Sequence, residues 1–353
     1  MPSFTVFKGQ DNGQPKKTTT SQPDQLVRDK VLVRVTASGL CGTVLPRSTL
    51  CQPQFTHSVL SYCPELTKPQ RTRDMVLGHE GCGVVEDVGP DCKHLKKGDR
   101  VGWGFSTDSC GYCDECLEGY EQFCVDRGIY GQANFDQGSF ASHAIWREGF
   151  LHRTPDGLSD AEAAPLQCGG ATTFAALYDA QHGETVGVVG MGGLGHLAIQ
   201  FAAKLGCRVV VLSGTDRKKE EALRLGATDF VATKGVKDLK VSRPLQRLLV
   251  TTSAQPDWDA ILPVMAPRST IYPLSVSSGH LEVPYMPLVF QGIAVQGSLV
   301  ASRIQHRKML DFAAAHGIKP IIEKFPMTEE GIGQAMQRLE EGKVYYRAVL
   351  MVE

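Results

Sequence analysis

The hydrophobic pattern of this chain of 353 residues changes character near Ser159. Before that residue, apolar and polar positions alternate in short stretches separated by glycine, for example at 31–36, as is typical of half-buried strands in an all-β domain. After it, continuous apolar runs alternate with segments of helical period, as is typical of a parallel sheet with helices packed against it. The pattern therefore predicts two domains of different class.

The second domain begins with a helix that carries a capping signal, because Ser159 is followed three residues later by Glu162. The runs at 248–250, 271–274 and 293–299 are predicted to be buried strands of one sheet. Further strands are predicted at 31–36, 84–88, 101–103, 138–146, 186–189, 207–212 and 346–352, and further helices at 194–201, 309–316 and 328–341.

The stretch 185–200, TVGVVGMGGLGHLAIQ, joins a predicted buried strand to a predicted helix through a glycine turn. Gly190, Gly192 and Gly195 occupy the G-x-G-x-x-G positions, which allow a tight turn, close approach of a pyrophosphate and close packing of helix on strand. The motif predicts a dinucleotide site that also includes Gly193 and Leu194. The alternative is a glycine-rich turn in an α/β protein without a nucleotide.

The end of the second strand of this unit bears on the choice between NADP and NAD. NAD-binding proteins place an acidic residue there for the ribose 2′-hydroxyl, whereas NADP-binding proteins supply cations. This chain has Ser213 at that position, followed by Arg217 and Lys218, which are close enough in sequence to meet a 2′-phosphate. Asp216 is the remaining argument for NAD. The pattern favours NADP.

Composition and charge narrow the class of protein. The 42% hydrophobic and 21% charged residues are typical of a folded protein with a sizeable core. The formal net charge of −1 argues against a nucleic-acid or membrane partner, and no apolar run approaches the roughly 20 residues that span a bilayer. The amino terminus lacks the apolar segment of a signal peptide. We therefore expect a cytoplasmic protein whose 11 cysteines bind metal or stay reduced.

Four cysteines lie within one short loop: Cys110, Cys113, Cys116 and Cys124. Cysteines at such close spacing let a loop surround one zinc ion with four thiolates in a tetrahedron. Because four thiolates leave no coordination position open, the predicted site is structural. The alternatives are reduced cysteines without metal and an iron–sulfur cluster.

Three further candidate ligands, Cys41, His79 and Cys168, are far apart in sequence, and each lies in a turn beside glycine. Two cysteines and one histidine would leave one tetrahedral position open, which is the pattern of a catalytic zinc site. From spacing alone this signal is weak, because a lone cysteine is more often a small core residue than a ligand.

Six further motifs lie along the chain: SGLCGT at 38–43, GHEGCGVV at 78–85, APLQCGG at 164–170, GVVGMGGLGHLAIQ at 187–200, GSLVASR at 297–303 and YYRAVL at 345–350. With these motifs and the four-cysteine loop, the chain resembles the zinc-containing medium-chain alcohol dehydrogenases, most closely the cinnamyl-alcohol-dehydrogenase-like branch. The resemblance implies a GroES-like, mostly β catalytic domain at 1–160 and 304–353, and a Rossmann NADP-binding domain with a doubly wound parallel sheet at 161–303.

The resemblance also implies roles for individual residues. It implies two zinc ions per chain, one structural on the four-cysteine loop and one catalytic on Cys41, His79 and Cys168, with Glu80 beside it. It places the Thr43 hydroxyl on the substrate oxygen and Arg347 near the cofactor pyrophosphate. The implied substrate is a small alcohol or aldehyde, and the implied assembly is a homodimer.

The chain departs from the family between Cys41 and His79, where the interval is longer than in this branch. The excess lies at 44–73, a stretch without hydrophobic period that we interpret as an insert; one hypothesis is that it is translated from an unspliced intron. An alternative function is therefore a catalytically impaired relative that still binds zinc and nucleotide. A zinc-free quinone or enoyl reductase would share the fold, but the retained Cys41, His79 and Cys168 argue against it.

Overall fold

The computed structural model of this chain describes residues 3–10, 13–21, 23–42, 74–277 and 280–352. Thr43 and the predicted insert at 44–73 lie outside these residues. The chain divides into two compact units. The first comprises Met1–Cys168, Ser302–Ala315 and Lys319–Glu353, and the second comprises Gly169–Ala301 and His316–Ile318. The sequence prediction places the boundaries after 160 and after 303.

The described residues form strands β1 to β17 in chain order. They are Ser3–Gly9, Pro15–Ser21, Lys30–Leu40, Gly81–Val88, Arg100–Trp103, Ser106–Asp108, Gly128–Ile129, His143–Arg147, His152–Arg153, Thr185–Val189, Arg208–Ser213, Asp229–Ala232, Leu245–Val250, Met265–Pro273, Ala294–Val295, Ile322–Pro326 and Arg347–Met351.

They also form helices α1 to α9, which are Asp114–Leu117, Asp160–Pro165, Ala171–Ala175, Gly195–Lys204, Lys219–Arg224, Trp258–Ile261, Tyr285–Gln291, Arg303–His316 and Glu329–Glu340. A π-helical turn, Leu166–Gly170, follows α2 directly. Short 3-10 turns occupy Glu121–Phe123, Glu148–Phe150, Asp216–Lys218 and Leu262–Val264. No helix of the described ranges is long and apolar enough to cross a bilayer.

The second unit contains a six-stranded sheet in the order β12-β11-β10-β13-β14-β15, in which every neighbouring pair is parallel. Counted within the unit, this is the order 3-2-1-4-5-6 of dinucleotide-binding folds, so the predicted parallel sheet is confirmed. Its central strands are buried on both faces, which explains why they read as continuous apolar runs.

The first unit is built on a seven-stranded sheet in the order β16-β17-β3-β4-β5-β9, with β8 also paired to β3. Except for the parallel pair β16 and β17, its neighbours are antiparallel. Its alternating apolar positions, such as Val31, Val33 and Val35, face a core that includes Trp103 and Trp146. The predicted mostly β first domain is thus confirmed.

Three of the predicted elements show where local sequence pattern decides the structure and where it does not. The capping box at α2 is confirmed, because the Ser159 hydroxyl accepts from the Glu162 backbone and the Glu162 carboxylate accepts from the Ser159 backbone. The predicted strand at 138–146 is regular only from His143. The predicted buried strand at 293–299 belongs to the expected sheet, but its predicted length and burial are wrong, because only Ala294–Val295 forms a strand, at the sheet edge and exposed. Hydrophobicity alone does not distinguish a buried strand from an exposed apolar edge.

Candidate catalytic centre and cofactor sites

Strand pairing in the first unit gathers two candidate site residues at one sheet edge. Cys41 directly follows β3, and Arg347 is the first residue of β17. The two strands are antiparallel, and Ala348 pairs with Leu40. Since the end of one strand lies beside the start of the other, the Cys41 turn and Arg347 are neighbours although they are far apart in sequence.

The other neighbour of β3 brings His79 and Glu80 to the same edge. Both residues directly precede β4, which runs antiparallel to β3, and Gly81 pairs with Ser38. The backbone N–H of Gly39 donates to the carbonyl of Glu80 at 2.9 Å, which extends the pairing to the site itself. The order β17-β3-β4 therefore explains the convergence.

Cys168 reaches this point from the π-helical turn after α2. One candidate ligand atom from each of Cys41, His79, Glu80 and Cys168 lies within 4.8 Å of all the others. The structure therefore brings together the three predicted catalytic ligands and Glu80, which the resemblance places beside them. A π-helical turn is a frequent feature of functional sites because it changes the direction in which a side chain projects.

The spacing of the donors provides a test of whether zinc fits. Four sulfurs at about 2.3 Å from one ion lie about 3.8 Å from each other in a tetrahedron. The Sγ atoms of Cys41 and Cys168 are 4.0 Å apart. Thiolate and imidazole are also the donors that zinc prefers. These residues therefore fit a zinc ion.

Glycines around the ligands make room for them. A Cβ atom at Gly39 would overlap the Glu80 carboxylate, and a Cβ at Gly78 would overlap the Phe140 ring. Gly78 also has a φ of +86°, which side chains rarely adopt. Gly39 of the SGLCGT motif and Gly78 of the GHEGCGVV motif are thus required by close approach.

Two aromatic rings hold His79 in place. The Tyr130 ring centroid lies 4.9 Å from the imidazole centroid, and that of Phe105 lies at 5.6 Å. The Tyr130 hydroxyl also accepts a hydrogen bond of 2.9 Å from the backbone N–H of Gly78. Sequence reasoning did not predict that either ring contacts His79, because both lie at least 26 residues beyond it and belong to no quoted motif.

Glu80 and Arg347 form a buried ion pair. The Arg347 Nη2 donates to both carboxylate oxygens of Glu80, at 2.5 Å in the case of Oε2. Burial raises the pKa of Glu80 above its ordinary value, although the charge of Arg347 opposes this effect. Burial acts to lower the pKa of Arg347, but the charge of Glu80 and the neighbouring thiols leave it above the ordinary value.

The two cysteines of the cluster share a hydrogen bond, and their pKa values move apart. This bond lowers the pKa of Cys41 well below its ordinary value, and the charges of His79 and Arg347 act in the same direction. The same bond, together with burial, raises the pKa of Cys168. The shared hydrogen bond and the neighbouring charges therefore favour the thiolate form of Cys41, which is the form that binds metal.

The four-cysteine loop forms a second cluster, in which the candidate ligand atoms of Cys110, Cys113, Cys116 and Cys124 lie within 4.8 Å of one another. The Sγ of Cys110 is 3.5 Å from that of Cys124 and 3.9 Å from that of Cys116, which again matches a tetrahedron around zinc. Backbone N–H bonds from Tyr112 and Cys113 lower the pKa of Cys110 to about 7. Burial raises the pKa of Cys124 to about 12.

The glycine turn of the second unit has the geometry that the motif predicts. Gly190 ends β10 with a φ of +86°, and a Cβ at Gly195 would overlap the Gly190 carbonyl. A Cβ at Gly192 would meet nothing within 4 Å, so this side of the turn is open to a ligand. Helix α4 begins at Gly195, directly after Gly193 and Leu194.

The residues that bear on cofactor choice follow β11. Ser213 is its last residue, and Arg217 and Lys218 lie in the next turn, where Arg217 is exposed. The Lys218 Nζ donates to the Met191 carbonyl at 2.8 Å, which places this ammonium group against the glycine turn. Burial lowers the pKa of Lys218. The sequence did not predict the contact between Lys218 and Met191.

Comparison with known proteins places both units. Residues 27–156 match the family described as alcohol dehydrogenase GroES-like domain, and residues 193–315 match the zinc-binding dehydrogenase family. Over 286 residues the chain is 36% identical to NADP-dependent alcohol dehydrogenase C 1 of Mycolicibacterium smegmatis, which covers 78% of this chain and 81% of that relative. The chain belongs to the zinc-containing medium-chain alcohol dehydrogenases.

Further relatives place this alcohol dehydrogenase in the cinnamyl-alcohol-dehydrogenase-like branch. It is 35% identical over 291 residues to cinnamyl alcohol dehydrogenase 8 of Arabidopsis thaliana, which covers 80% of each chain. A solved cinnamyl alcohol dehydrogenase from Sorghum bicolor has a TM-score of 0.82 and 30% identity, and the match covers 99% of this chain and 98% of that one. A cinnamyl alcohol dehydrogenase from Helicobacter pylori, solved with NADP(H), has a TM-score of 0.81 and 25% identity, with 99% and 97% covered.

These findings confirm the predicted family and the combination of a GroES-like domain with a Rossmann domain. As a member of this family, the alcohol dehydrogenase described here is an oxidoreductase that acts on small alcohols or aldehydes. The predicted proton-relay residue Thr43 lies outside the described residues.

Proposed function

We propose that this chain is a zinc-dependent alcohol dehydrogenase or aldehyde reductase that transfers a hydride between NADP(H) and an alcohol–aldehyde pair. The observation that carries the proposal is the cluster of Cys41, His79 and Cys168, whose donors surround one point with spacing that fits zinc. When bound, zinc supplies Lewis acidity to a substrate oxygen, and a nicotinamide supplies or accepts the hydride.

The protein's own residues prepare this chemistry. The surroundings of Cys41 favour its thiolate form, and the aromatic rings of Tyr130 and Phe105 pack against the ring of His79. Glu80 lies in the ligand cluster but is bound by Arg347, so we assign it the role of an alternative ligand that Arg347 restrains. The Thr43 hydroxyl is proposed to bond the substrate oxygen and to begin the path of its proton.

Arg347 has a second proposed role, near the pyrophosphate of the cofactor. An arginine has five N–H donors, and the bonds to Glu80 use Nη2. The Arg347 Nε is buried and makes no hydrogen bond to the described residues. One N–H donor of the guanidinium group therefore has no partner among the described residues, and the proposed role near the pyrophosphate rests on the family resemblance.

The choice of NADP over NAD rests on the residues after β11. Ser213 replaces the acid that would bond a ribose 2′-hydroxyl, and Arg217 and Lys218 place two cations in the next turn. The Mycolicibacterium relative is named as NADP-dependent, and the Helicobacter structure contains NADP(H). Both facts support the same cofactor here.

A second zinc ion is proposed in the four-cysteine loop, where it would be structural. Four thiolates around one zinc ion would fill its tetrahedron and leave no position for a substrate. Thiolate ligands need reducing conditions to stay free of disulfides, so the proposal includes a cytoplasmic location.

The proposed assembly is a homodimer formed by the second unit. Strand β15 lies at the end of the six-stranded sheet and has a strand neighbour on one side only among the described residues. Beside it, α7 exposes Tyr285 and Phe290, which are 75% and 78% exposed, and Val295 of β15 is 41% exposed. A second copy related by a two-fold axis would cover the same apolar surface on both chains and continue the sheet. A solution molar mass of one chain would contradict this assembly.

One experiment tests the proposed activity as a whole. The purified protein is analysed for zinc, and the oxidation of NADPH and NADH is measured over a panel of aliphatic and aromatic aldehydes. Two zinc ions per chain and turnover with NADPH are expected. Two zinc ions without turnover on any aldehyde would favour the impaired relative, whereas turnover without zinc would favour the zinc-free reductase.

A further inference from the structure

A buried amide lies directly before the ligand Cys168. Gln167 is 1% exposed, and both the nitrogen and the oxygen of its side-chain amide have a partner. Its Nε2 donates to the Ala163 carbonyl at 3.2 Å and contacts the Cys82 Sγ at 3.8 Å. Its Oε1 lies 2.9 Å from the Nε2 of His306, which is 5% exposed. A buried amide and a buried imidazole that are hydrogen-bonded to each other beside a metal ligand indicate a specific structural role.

The neighbouring strand is shaped to receive this amide. Gly102 lies in β5, and a Cβ atom there would overlap the Gln167 side chain. A Cβ at Gly104 would overlap the Gln167 carbonyl oxygen and would lie 3.4 Å from the His306 ring. Two glycines therefore open a slot that the side chain and the backbone of Gln167 fill together.

The protonation of His306 fixes the direction of the hydrogen bond. Burial and the nearby charge of Arg307 lower the pKa of His306 to about 3, so the imidazole is neutral at physiological pH. Because the Gln167 amide nitrogen already donates to Ala163, its oxygen is the acceptor, and the His306 Nε2 carries the hydrogen. The ring of His152 stacks on His306 with centroids 3.9 Å apart and closes the pocket.

These contacts tie the Cys168 turn to three separate elements. Gln167 bonds to α2 through Ala163, fits against β5 through the glycine slot, and bonds to α8 through His306. The next residue, Cys168, must place its sulfur 4.0 Å from that of Cys41. A shift of the turn would change this distance directly.

We propose that Gln167 and His306 are positioning residues that set the place of the Cys168 thiolate and thereby the retention of the catalytic zinc. The inference deepens the proposed function and rests on it, because it requires the catalytic zinc site. Outer groups that orient a metal ligand typically change metal affinity by about 10 to 100-fold when they are removed. Neither residue touches the reacting atoms, so neither is a catalytic residue.

The test measures zinc release from the whole protein. Wild type and variants are loaded with two zinc ions per chain and mixed with a chromogenic chelator, and release is followed over time. The two sites should give two phases, which are assigned with Cys113→Ser for the four-cysteine site and Cys168→Ser for the catalytic site. In Gln167→Leu and His306→Leu, we expect release from the catalytic site to accelerate about tenfold or more, with the other phase unchanged.

Two further variants separate positioning from general packing. His306→Gln keeps a side-chain N–H donor for Gln167 and should restore the wild-type release rate to within about threefold. His152→Leu alters the same pocket without touching the bond to Gln167, and its catalytic-site phase should stay close to wild type. Cobalt in the catalytic site gives a second readout, because a displaced thiolate weakens and shifts its charge-transfer absorption in Gln167→Leu.

Wild-type release from both leucine variants would overturn the proposal, as would equal acceleration of both phases, which indicates general loosening. If Gln167→Leu does not fold, the rates of zinc release from His306→Leu and His306→Gln still test the proposal. A wild-type protein with zinc in both sites but without turnover would refute the proposed activity alone. A wild type that never binds the second zinc would refute both.

Discussion

The Arg347 guanidinium group binds both carboxylate oxygens of Glu80, and 267 residues of chain separate the two. Both side chains are buried, and Glu80 lies within the ligand cluster. A buried carboxylate without a partner would carry a large desolvation penalty. The positive charge of Arg347 compensates this penalty, so the Glu80 carboxylate can stay beside the predicted zinc ligands. Arg347 decides how far Glu80 is available to a metal.

Removal of one member of this pair should destabilise the protein strongly. In Arg347→Leu, the Glu80 carboxylate loses its partner, and we expect a loss of about 3–5 kcal/mol in the free energy of unfolding. Chemical denaturation measures the loss. The double variant Arg347→Leu with Glu80→Gln should recover part of it, because the uncompensated charge is gone. Additive effects of the two substitutions would contradict the pairing.

Cofactor preference should respond to the residue that ends β11. In Ser213→Asp, the new carboxylate would bond a ribose 2′-hydroxyl and repel a 2′-phosphate. We expect the ratio of kcat/KM for NADPH to that for NADH to fall at least about tenfold, which corresponds to about 1.4 kcal/mol. Arg217→Ala is the matched control, because it should lower kcat/KM for NADPH without raising kcat/KM for NADH. An unchanged ratio in Ser213→Asp would contradict the proposed site.

The stacked histidines should make stability fall in acid. Burial lowers the pKa of His306 to about 3 and that of His152 well below its ordinary value, with the charges of His306, Arg307 and Arg303 adding to the effect on His152. Both folded-state values lie below the unfolded value of about 6.5, so the unfolded chain binds more protons between about pH 3 and 6.5. The contribution of the two neutral histidines to the free energy of unfolding is complete above that pH window and is lost as the pH falls through it.

Urea unfolding at pH 7 and pH 5 checks this direction. His152→Leu removes one of the two titrating groups, so the decline of the unfolding free energy should be shallower by up to about 1.4 kcal/mol per pH unit. The wild type and variant are compared at equal zinc content, since the metal ligands also bind protons. Parallel pH profiles would show that His152 is not buried in its neutral form.

The four-cysteine loop should govern stability rather than the chemical step. Cys113→Ser removes one of four thiolates, and we expect the loss of one zinc ion per chain together with a lower Tm. In molecules that remain folded and keep the zinc of the catalytic site, turnover should persist at the assay temperature. An unchanged Tm after loss of the metal would mean that this ion does not stabilise the fold.

Helices, strands and turns could be predicted from the sequence where residues close together in the chain determine them. The glycine turn at Gly190, the cap at Ser159 and the alternation in β3 each depend on residues within one short stretch. The run at 293–299 misled because an apolar sequence looks the same whether its strand is buried or exposed at a sheet edge.

The site itself depends on strand pairing across long intervals, which spacing does not reveal. Cys41, His79 and Cys168 became candidates through family motifs, and the order β17-β3-β4 explains why the first two meet Arg347. The ion pair with Glu80 and the bond between Gln167 and His306 had no local signal. Buried polar partners of this kind are found only once the sheet is assembled.

The most direct test of the central claim is the zinc content and turnover of Cys168→Ser, measured on the same sample. The account predicts that this variant keeps the zinc of the four-cysteine loop, loses or weakens the other, and loses aldehyde reduction with NADPH while its Tm changes little. Turnover at the wild-type rate, or two tightly held zinc ions per chain, would contradict the assignment of Cys41, His79 and Cys168 as the ligands of a catalytic metal.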